Sequence, residues 1–350
     1  MTPNPVLVEL DGSHGEGGGS IVRTALAMSA LTGQPVRIFN VRSGLPKPGV
    51  GPVDIALAQA LGSATGALIE GSLGDSDLSF RPRTALSPVR DRIDLNRIAK
   101  GASPGSATLV LQSLLAPLAR AGGVSRVSVR GGTHIPLSPT YDYFRLVTIP
   151  CMESVGIGCV TTIDTASYGR GAGEIAAEIE PSGVEPASLS DRGRLLSLRA
   201  TVVTSELPEA VGMRGVRRLE NWFRRDGLEC AVEFLKVRAP SPGAAVTIGS
   251  EFERGFGGGQ ALGERGRSME QVVDEAYSQF IDWLNSDTGV DPFVADQLVV
   301  PCALAQGTSA FTTSRITPTL VSTIWVVKQF MPARIVVTGR EEHAGSVSVG

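Results

Sequence analysis

Apolar and polar positions alternate along the start of the chain in a pattern typical of short strands and amphipathic helices. Ile21, Ala25 and Met28, for example, repeat at the spacing of one helical face. The predicted order is strand, helix, strand, helix, strand, strand, at residues 6–10, 21–31, 36–41, 55–65, 68–71 and 78–81. We therefore predict an α/β unit of about 90 residues.

A similar order returns in the next part of the chain. Its helices and strands are predicted at 109–118, 124–129, 141–155, 159–163 and 174–179. After residue 185 the pattern changes to a charged helix at 210–223 among strands at 195–203, 228–237 and 244–249. This stretch is typical of an inserted α/β domain.

The first type of pattern resumes towards the end of the chain. A long amphipathic helix at 269–285 comes first. Helices at 295–303 and 321–330 and short strands at 311–313, 335–337 and 346–349 follow. The whole chain thus fits an α/β array of like units with one insertion.

A glycine-rich segment links the first strand to the first helix. It contains His14, Glu16, the three glycines Gly17, Gly18 and Gly19, and Ser20. Glycine permits positive φ and close approach of a ligand, and N–H groups at a helix start attract anions. Glu16 beside them is a candidate for holding a metal or a proton. The alternative is a tight turn without function, and the spacing matches neither G-x-G-x-x-G nor a P-loop.

Charge and cysteine content narrow the possible partners. The net charge of −3 gives no global basic surface, so a nucleic-acid contact would be local, at one strand end and not along an extended duplex. A set of arginines is, as we favour, a solvated helix face or else a group of RNA phosphate contacts: Arg214, Arg217, Arg218, Arg224 and Arg225. The four cysteines have no C-x-x-C spacing, so we expect reduced thiols and no zinc site. Without a leader-like start or a membrane-spanning apolar run, we expect a cytoplasmic protein without a membrane partner.

Several short segments occur in a fixed order over nearly the whole chain. They are the glycine loop, Lys47-Pro48-Gly49, the run 106–112, Gly131-Gly132-Thr133, the run 261–266, the run 295–298 and the run 324–330. Together they resemble the RNA 3′-terminal phosphate cyclase family. The resemblance implies an α/β (α+β) fold of three repeats, each with two helices and four strands, and a small inserted α/β domain before the last repeat. The implied boundaries are 1–184 for two repeats, 185–268 for the insert and 269–350 for the third.

The resemblance also implies a reaction. In this family a histidine attacks ATP to form a covalent adenylate, and the adenylyl group moves to an RNA 3′-phosphate. The neighbouring 2′-OH then closes a 2′,3′-cyclic phosphate. ATP and Mg²⁺ or Mn²⁺ are the implied cofactors, and an RNA 3′ end is the implied partner.

The sequence departs from the family at positions that carry this chemistry. The position of the nucleophilic histidine is Thr319, and a threonine hydroxyl attacks ATP poorly without a strong base. An active-site histidine is matched by Asp54, an arginine by Leu45 and a glutamine by Ser20, and a glycine-rich signature is degraded at 169–173. We therefore predict that the histidine adenylate reaction is absent or altered.

Other site positions match the family, and together they define the candidate site. Candidate catalytic residues are Glu16, Arg23, Gln112, Thr319 and Asp54. Candidate ligand-binding residues are Gly17, Gly18, Gly19, Ser20, Arg42, Asp296, Gln297 and His14, and Glu16 is the candidate metal ligand.

Some of these residues have a structural alternative. Arg23 is a phosphate ligand or a salt-bridge partner of Glu16. Asp54 and Asp296 act in the site or cap the helices that start near them. His14 is a substitute nucleophile or, as we favour, an exposed loop residue, and His134 reaches a ligand or, as we favour, points to solvent.

Three functions remain open from the sequence. The first is a divergent cyclase-like enzyme. The second is a non-catalytic relative that binds an RNA end, a nucleotide or a protein partner. The third and weaker one is an enolpyruvyl-transferase-like enzyme, which needs a convergent set of lysines and arginines that the sequence does not display.

Overall fold

The computed structural model describes residues 6–101, 103, 105–169 and 171–350. The first five residues, Pro104 before the predicted helix at 109–118, and Arg170 of the degraded signature lie outside the described residues.

The first repeat folds in the predicted order. Its elements are β1 (Val8–Asp11), α1 (Gly19–Thr32), β2 (Val36–Phe39), α2 (Pro52–Thr65), β3 (Leu68–Glu70) and β4 (Leu78–Arg81). They form a four-stranded sheet of order β1-β2-β4-β3, in which β1 and β2 are parallel and the other pairs antiparallel. The apolar face of α1 is buried, with Ile21, Ala25 and Met28 inaccessible to solvent.

The second repeat has the same sheet topology. Its elements are β5 (Arg90–Asp94), α3 (Leu95–Ala99), α4 (Ala107–Ala119), β6 (Ser125–Gly131), α5 (Tyr141–Tyr143), a π-helical turn (Phe144–Thr148), α6 (Ile149–Glu153), β7 (Cys159–Thr165) and β8 (Gly173–Ile179). The order β5-β6-β8-β7, with β5 and β6 parallel, reproduces the first sheet strand by strand.

The third repeat is interrupted by the insert. It consists of β9 (Ser188–Leu189), α9 (Ala295–Leu304), β14 (Ser309–Thr313), α10 (Pro318–Phe330), β15 (Ile335–Gly339) and β16 (Gly345–Val349). The sheet order β9-β14-β16-β15, with β9 and β14 parallel, again matches the first repeat. The insert therefore lies inside the third repeat, between its first strand and its first helix, and not before it as the sequence predicted.

The insert has a sheet and a hydrophobic core of its own. It comprises β10 (Leu195–Ser205), α7 (Glu209–Arg225), β11 (Ala231–Lys236), β12 (Gly243–Phe252), β13 (Gly255–Leu262) and α8 (Met269–Asn285). Buried residues from Leu198 to Trp283 form this second core. Helix α8 therefore packs with the inserted sheet, although the boundary predicted at residue 268 assigns it to the third repeat.

A buried carboxylate joins the insert to the two neighbouring repeats. Asp291 accepts hydrogen bonds from Tyr143 Oη at 2.8 and 2.7 Å, from the Gly258 N–H at 2.8 Å and from the Val294 N–H at 3.0 Å. Burial raises the pKa of both Asp291 and Tyr143. One side chain thus connects the second repeat, the inserted sheet and the start of α9.

The apolar helices of the three repeats pack on one another, with α1 against α2, α4 and α10, and α9 against α10. This packing brings the glycine loop at the start of α1 beside the start of α10. Within the described part of the chain, the helices are too short or too polar to cross a bilayer.

Candidate functional site

The glycine loop lies along helix α10. The His14 ring stacks on the Trp325 ring with centroids 3.9 Å apart and an angle of 17° between the planes. Gly15 follows with φ +57°, and a β-carbon at this position would lie 2.7 Å from Ser322 Oγ. Only glycine fits this approach without strain. The consecutive loop residues His14 and Gly15 therefore lie against Trp325 and Ser322, which are three residues apart on α10.

Glu16 extends this contact by one further helical turn. Its Oε2 accepts a hydrogen bond from Thr319 Oγ1 at 2.7 Å, and its Oε1 accepts one from Ser20 Oγ. The candidate carboxylate and the residue at the family's nucleophile position are thus in direct contact. Both carboxylate oxygens are engaged by hydroxyl groups.

These contacts do not fit the metal role predicted for Glu16. A divalent cation needs several oxygen or nitrogen ligands around one point. Among the described residues, no group of three or more histidine, cysteine, aspartate or glutamate side chains can hold a metal ion.

Two guanidinium groups converge at the first residue of α1. A β-carbon at Gly19 would lie 2.6 Å from Arg23 Nη1 and 2.6 Å from Arg42 Nη2, so the two nitrogens are at most twice that distance apart. Helix α1 has no side-chain cap and no acidic residue in its first turn. Two positive groups beside the N-terminus of a helix form an anion-binding cradle.

Asp54 holds one of these arginines in place. It accepts hydrogen bonds from Arg42 Nη1 and from Arg42 Nη2, the latter at 2.9 Å, and from the Gly51 N–H at 2.8 Å. The Asp54 side chain has no solvent exposure, against 15% for Arg42. This carboxylate positions Arg42 and caps α2, which favours the structural alternative considered for Asp54 over the catalytic one.

Arg23 differs from Arg42 because the described residues offer it no ion-pair partner within 4.0 Å. Burial lowers its pKa, and the charge of Asp54 opposes that effect. Among the described residues, the salt bridge to Glu16 considered for Arg23 does not form, because the two groups are not within 4.0 Å of each other. The cation of Arg23 is available to a ligand.

A small cavity of about 50 Å³ is lined in part by Arg23. Gln112, Asp296 and Gln297 line it together with Ser20. The Gln297 amide donates a hydrogen bond to Asp296 Oδ2 at 2.9 Å, and burial raises the pKa of Asp296 to about 7. Val294 is the N-cap of α9 and no side chain caps this helix, so the capping role considered for Asp296 is not adopted.

One further expectation is corrected, for His134, and one alternative is favoured, for the arginines of α7. His134 does not point to solvent: it is buried, its Nε2 lies 3.0 Å from Asp142 Oδ2, and its ring stacks on Tyr168. The arginines of α7 are largely neutralised by neighbouring carboxylates. Arg218 pairs with Asp274 and Arg225 with Asp226, which does not favour contacts with RNA phosphates.

The sequence missed Ser322 and Trp325 as site residues. Trp325 is half-buried, packs against the core and is covered by His14. The spacing of residues 319, 322 and 325 along one helix was the available signal, because residues three apart are neighbours on a helical surface. Nothing in the sequence showed that the glycine loop is their partner.

Fold and site together define a class of protein: an α/β array of three like repeats in which a glycine loop and the last helix lie beside two convergent guanidinium groups. The model of one family, RNA 3′-terminal phosphate cyclase, matches residues 14–337. The chain belongs to the RNA 3′-terminal phosphate cyclase family, as its motifs indicated.

Curated relatives agree over nearly the full length. A protein of Methylococcus capsulatus named RNA 3′-terminal phosphate cyclase is 35% identical over 347 residues, which cover 98% of this chain and 96% of the relative. Proteins of the same name from Pseudomonas fluorescens and Thermococcus onnurineus are 38% and 34% identical, covering 94% and 98% of this chain and 94% and 99% of the relatives.

Proposed function

We propose that this protein binds the phosphate of an RNA 3′ end or of ATP between Arg23 and Arg42, and that it does not form the histidine adenylate of the family reaction. One observation carries the proposal. The residue at the nucleophile position is Thr319, and its hydroxyl donates a hydrogen bond to Glu16.

The cradle supports the binding half of the proposal. Arg42 is held rigidly by Asp54, while Arg23 has no carboxylate partner among the described residues within ion-pair distance. Charge-assisted hydrogen bonds from guanidinium to phosphate are about twice as strong as neutral ones. A terminal phosphate at Gly19 would also meet the N–H groups at the start of α1.

The chemistry of Thr319 supports the second part of the proposal, that the adenylate of the family reaction does not form. Glu16 is placed to accept the hydroxyl proton, so a weak nucleophile–base pair exists. An adenylyl group on threonine, however, would be an ordinary phosphate diester. Such an ester lacks the P–N bond whose cleavage drives transfer of the adenylyl group from histidine to a phosphate. Thr319 therefore does not replace histidine as a transfer intermediate.

The size of the inner cavity places limits on a bound nucleotide. Pockets that enclose drug-sized ligands measure roughly 300–1,000 Å³, whereas this cavity measures about 50 Å³. A base and a ribose therefore do not fit inside it. Any Mg²⁺ or Mn²⁺ would enter with the phosphates, because the donor set around Glu16 does not fit a resident ion.

The test is incubation of the protein with α-labelled ATP and Mg²⁺, followed by denaturing electrophoresis with and without acid treatment. We expect no acid-labile label on the wild-type chain. The variant Thr319→His should gain such a label, and Thr319→His combined with Arg23→Gln should lose it again. An acid-labile adenylate on the wild-type protein would contradict the proposal and direct the search to His14.

Binding is measured separately by calorimetry with a 3′-phosphorylated oligoribonucleotide and its 3′-hydroxyl counterpart. We expect the phosphate to improve affinity, and Arg23→Gln to remove that improvement. Binding without any cyclised product would favour the non-catalytic alternative over a reprogrammed enzyme.

A cytoplasmic location is part of the proposal, supported by four free cysteines of the kind found in reducing compartments.

A further inference from the structure

We propose that the stacked rings of His14 and Trp325 form a platform for the nucleobase of the nucleotide whose phosphate lies between Arg23 and Arg42. The platform depends on the proposed phosphate site, and it adds to that site a second contact with the same ligand.

The geometry of the pair suits a stacking surface. The ring centroids are 3.9 Å apart and the ring planes are 17° from parallel, so the two rings are stacked. A nucleobase on the outer face of His14 would add a third ring to this stack. His14 is exposed, whereas Trp325 is half-buried and fixed on α10. The imidazole thus presents a flat ring to solvent on a rigid support.

The platform and the phosphate site are connected through Glu16 and the start of α1. Trp325 is six residues beyond Thr319 on α10, which corresponds to about 9 Å along the helix axis. His14 is separated from Glu16 by Gly15 alone, and Glu16 contacts Ser20 in the first turn of α1.

The inner cavity does not compete for the base. With a volume of about 50 Å³, it leaves the base of a bound nucleotide outside. Aromatic and histidine side chains bind unpaired bases by stacking, and they do so with little sequence preference because every base has a π-face. The expected ligand is therefore a nucleobase joined to a phosphate, which both an RNA 3′ end and ATP provide.

The experiment compares two 3′-phosphorylated oligoribonucleotides, one with a normal terminal nucleotide and one with an abasic terminal nucleotide. Stacking of one base contributes on the order of tenfold in affinity. We therefore expect the wild-type protein to bind the abasic ligand about tenfold more weakly. His14→Ala should remove most of this difference, and His14→Phe, which restores a flat ring, should keep it.

Tryptophan fluorescence provides an independent measurement. The chain has three tryptophans. Binding of the normal oligonucleotide should quench the wild-type emission and that of Trp222→Phe, a control on the inserted domain. Quenching should be lost in Trp325→Leu. The same titration with ATP shows which source supplies the base.

The outcomes separate the platform from the phosphate site. Equal affinity for the normal and abasic ligands, with binding still dependent on Arg23, would overturn the platform and leave the phosphate site standing. Absence of binding by either oligonucleotide and by ATP would refute the phosphate site and the platform with it. Quenching by ATP alone would support the platform and assign the base to the free nucleotide.

Discussion

Replacement of Asp54 by alanine tests whether this carboxylate is structural. The change removes a fully buried side chain that accepts three hydrogen bonds, two from Arg42 and one from the N–H of Gly51. Removing one partner of a buried ion pair costs about 3–5 kcal/mol, because the other charge stays buried without compensation. The 15% exposure of Arg42 gives water some access to the guanidinium, which places the expected loss near 3 kcal/mol.

The assay is urea unfolding followed by circular dichroism. A loss near 3 kcal/mol is a large part of a typical total stability of about 5–15 kcal/mol, so the midpoint should move clearly to lower urea. Asp54→Asn should give an intermediate value, since the amide oxygen can still accept from Gly51. The control is Asp77→Ala, which breaks the exposed pair with Arg37 and should change stability little. If Asp54→Ala unfolds at the same urea concentration as Asp77→Ala, the structural role assigned to Asp54 is wrong.

Two further predictions concern Asp296 in the cavity and Gly15 in the glycine loop. Asp296 has a pKa of about 7, so it is largely neutral below that pH and gains a negative charge beside Arg23 above it. Sulfate, whose charge is constant near neutral pH, should therefore bind more weakly as the pH rises through 7, and calorimetry with Asp296→Asn should show a flat profile instead. Gly15→Ala should cost about 1–2 kcal/mol in urea unfolding, because alanine is strained at positive φ and its β-carbon meets Ser322 Oγ. Gly15→Ala with Ser322→Ala should recover the steric part only, and full recovery or no recovery would contradict this account.

Most of the repeat architecture was predictable because its helices bury regular apolar faces, as Ile21, Ala25 and Met28 do in α1. Strand β5, helix α3 and strands β9 and β13 were not predicted, and for the last two there is a clear physical reason. Strand β9 has only two residues and shows no alternation. Strand β13 is rich in glycine, which normally disfavours strands. The glycines are needed there because a β-carbon at Gly257 would lie 2.6 Å from the Trp283 ring and one at Gly259 would lie 2.0 Å from the Ala276 carbonyl oxygen.

The candidate site was predictable as a set of residues but not as a set of contacts. Glu16 and Thr319 were both selected, yet they are 303 residues apart and their hydrogen bond follows from how α1 packs on α10. The sequence predicts a catalytic role for Asp54 because it does not show that Asp54 and Arg42 form an ion pair. His134 was assigned to solvent for the same reason, since Asp142 becomes its neighbour only when the loop before α5 folds.

The position of the insert also determines the order in which the molecule can fold. Strand β9 pairs with β14, and the Ala187 N–H donates a hydrogen bond to Ser309 Oγ, 122 residues further along the chain. During synthesis β9 must remain without its partner until the whole insert and α9 have followed. Closing so long a loop carries an entropic cost, which a folded insert with its own core reduces by holding the two ends together. The folding rate of the second core therefore limits how soon the third sheet can form. A substitution that slows folding of the insert should delay pairing of β9 with β14, and with it the packing of α10 against the glycine loop.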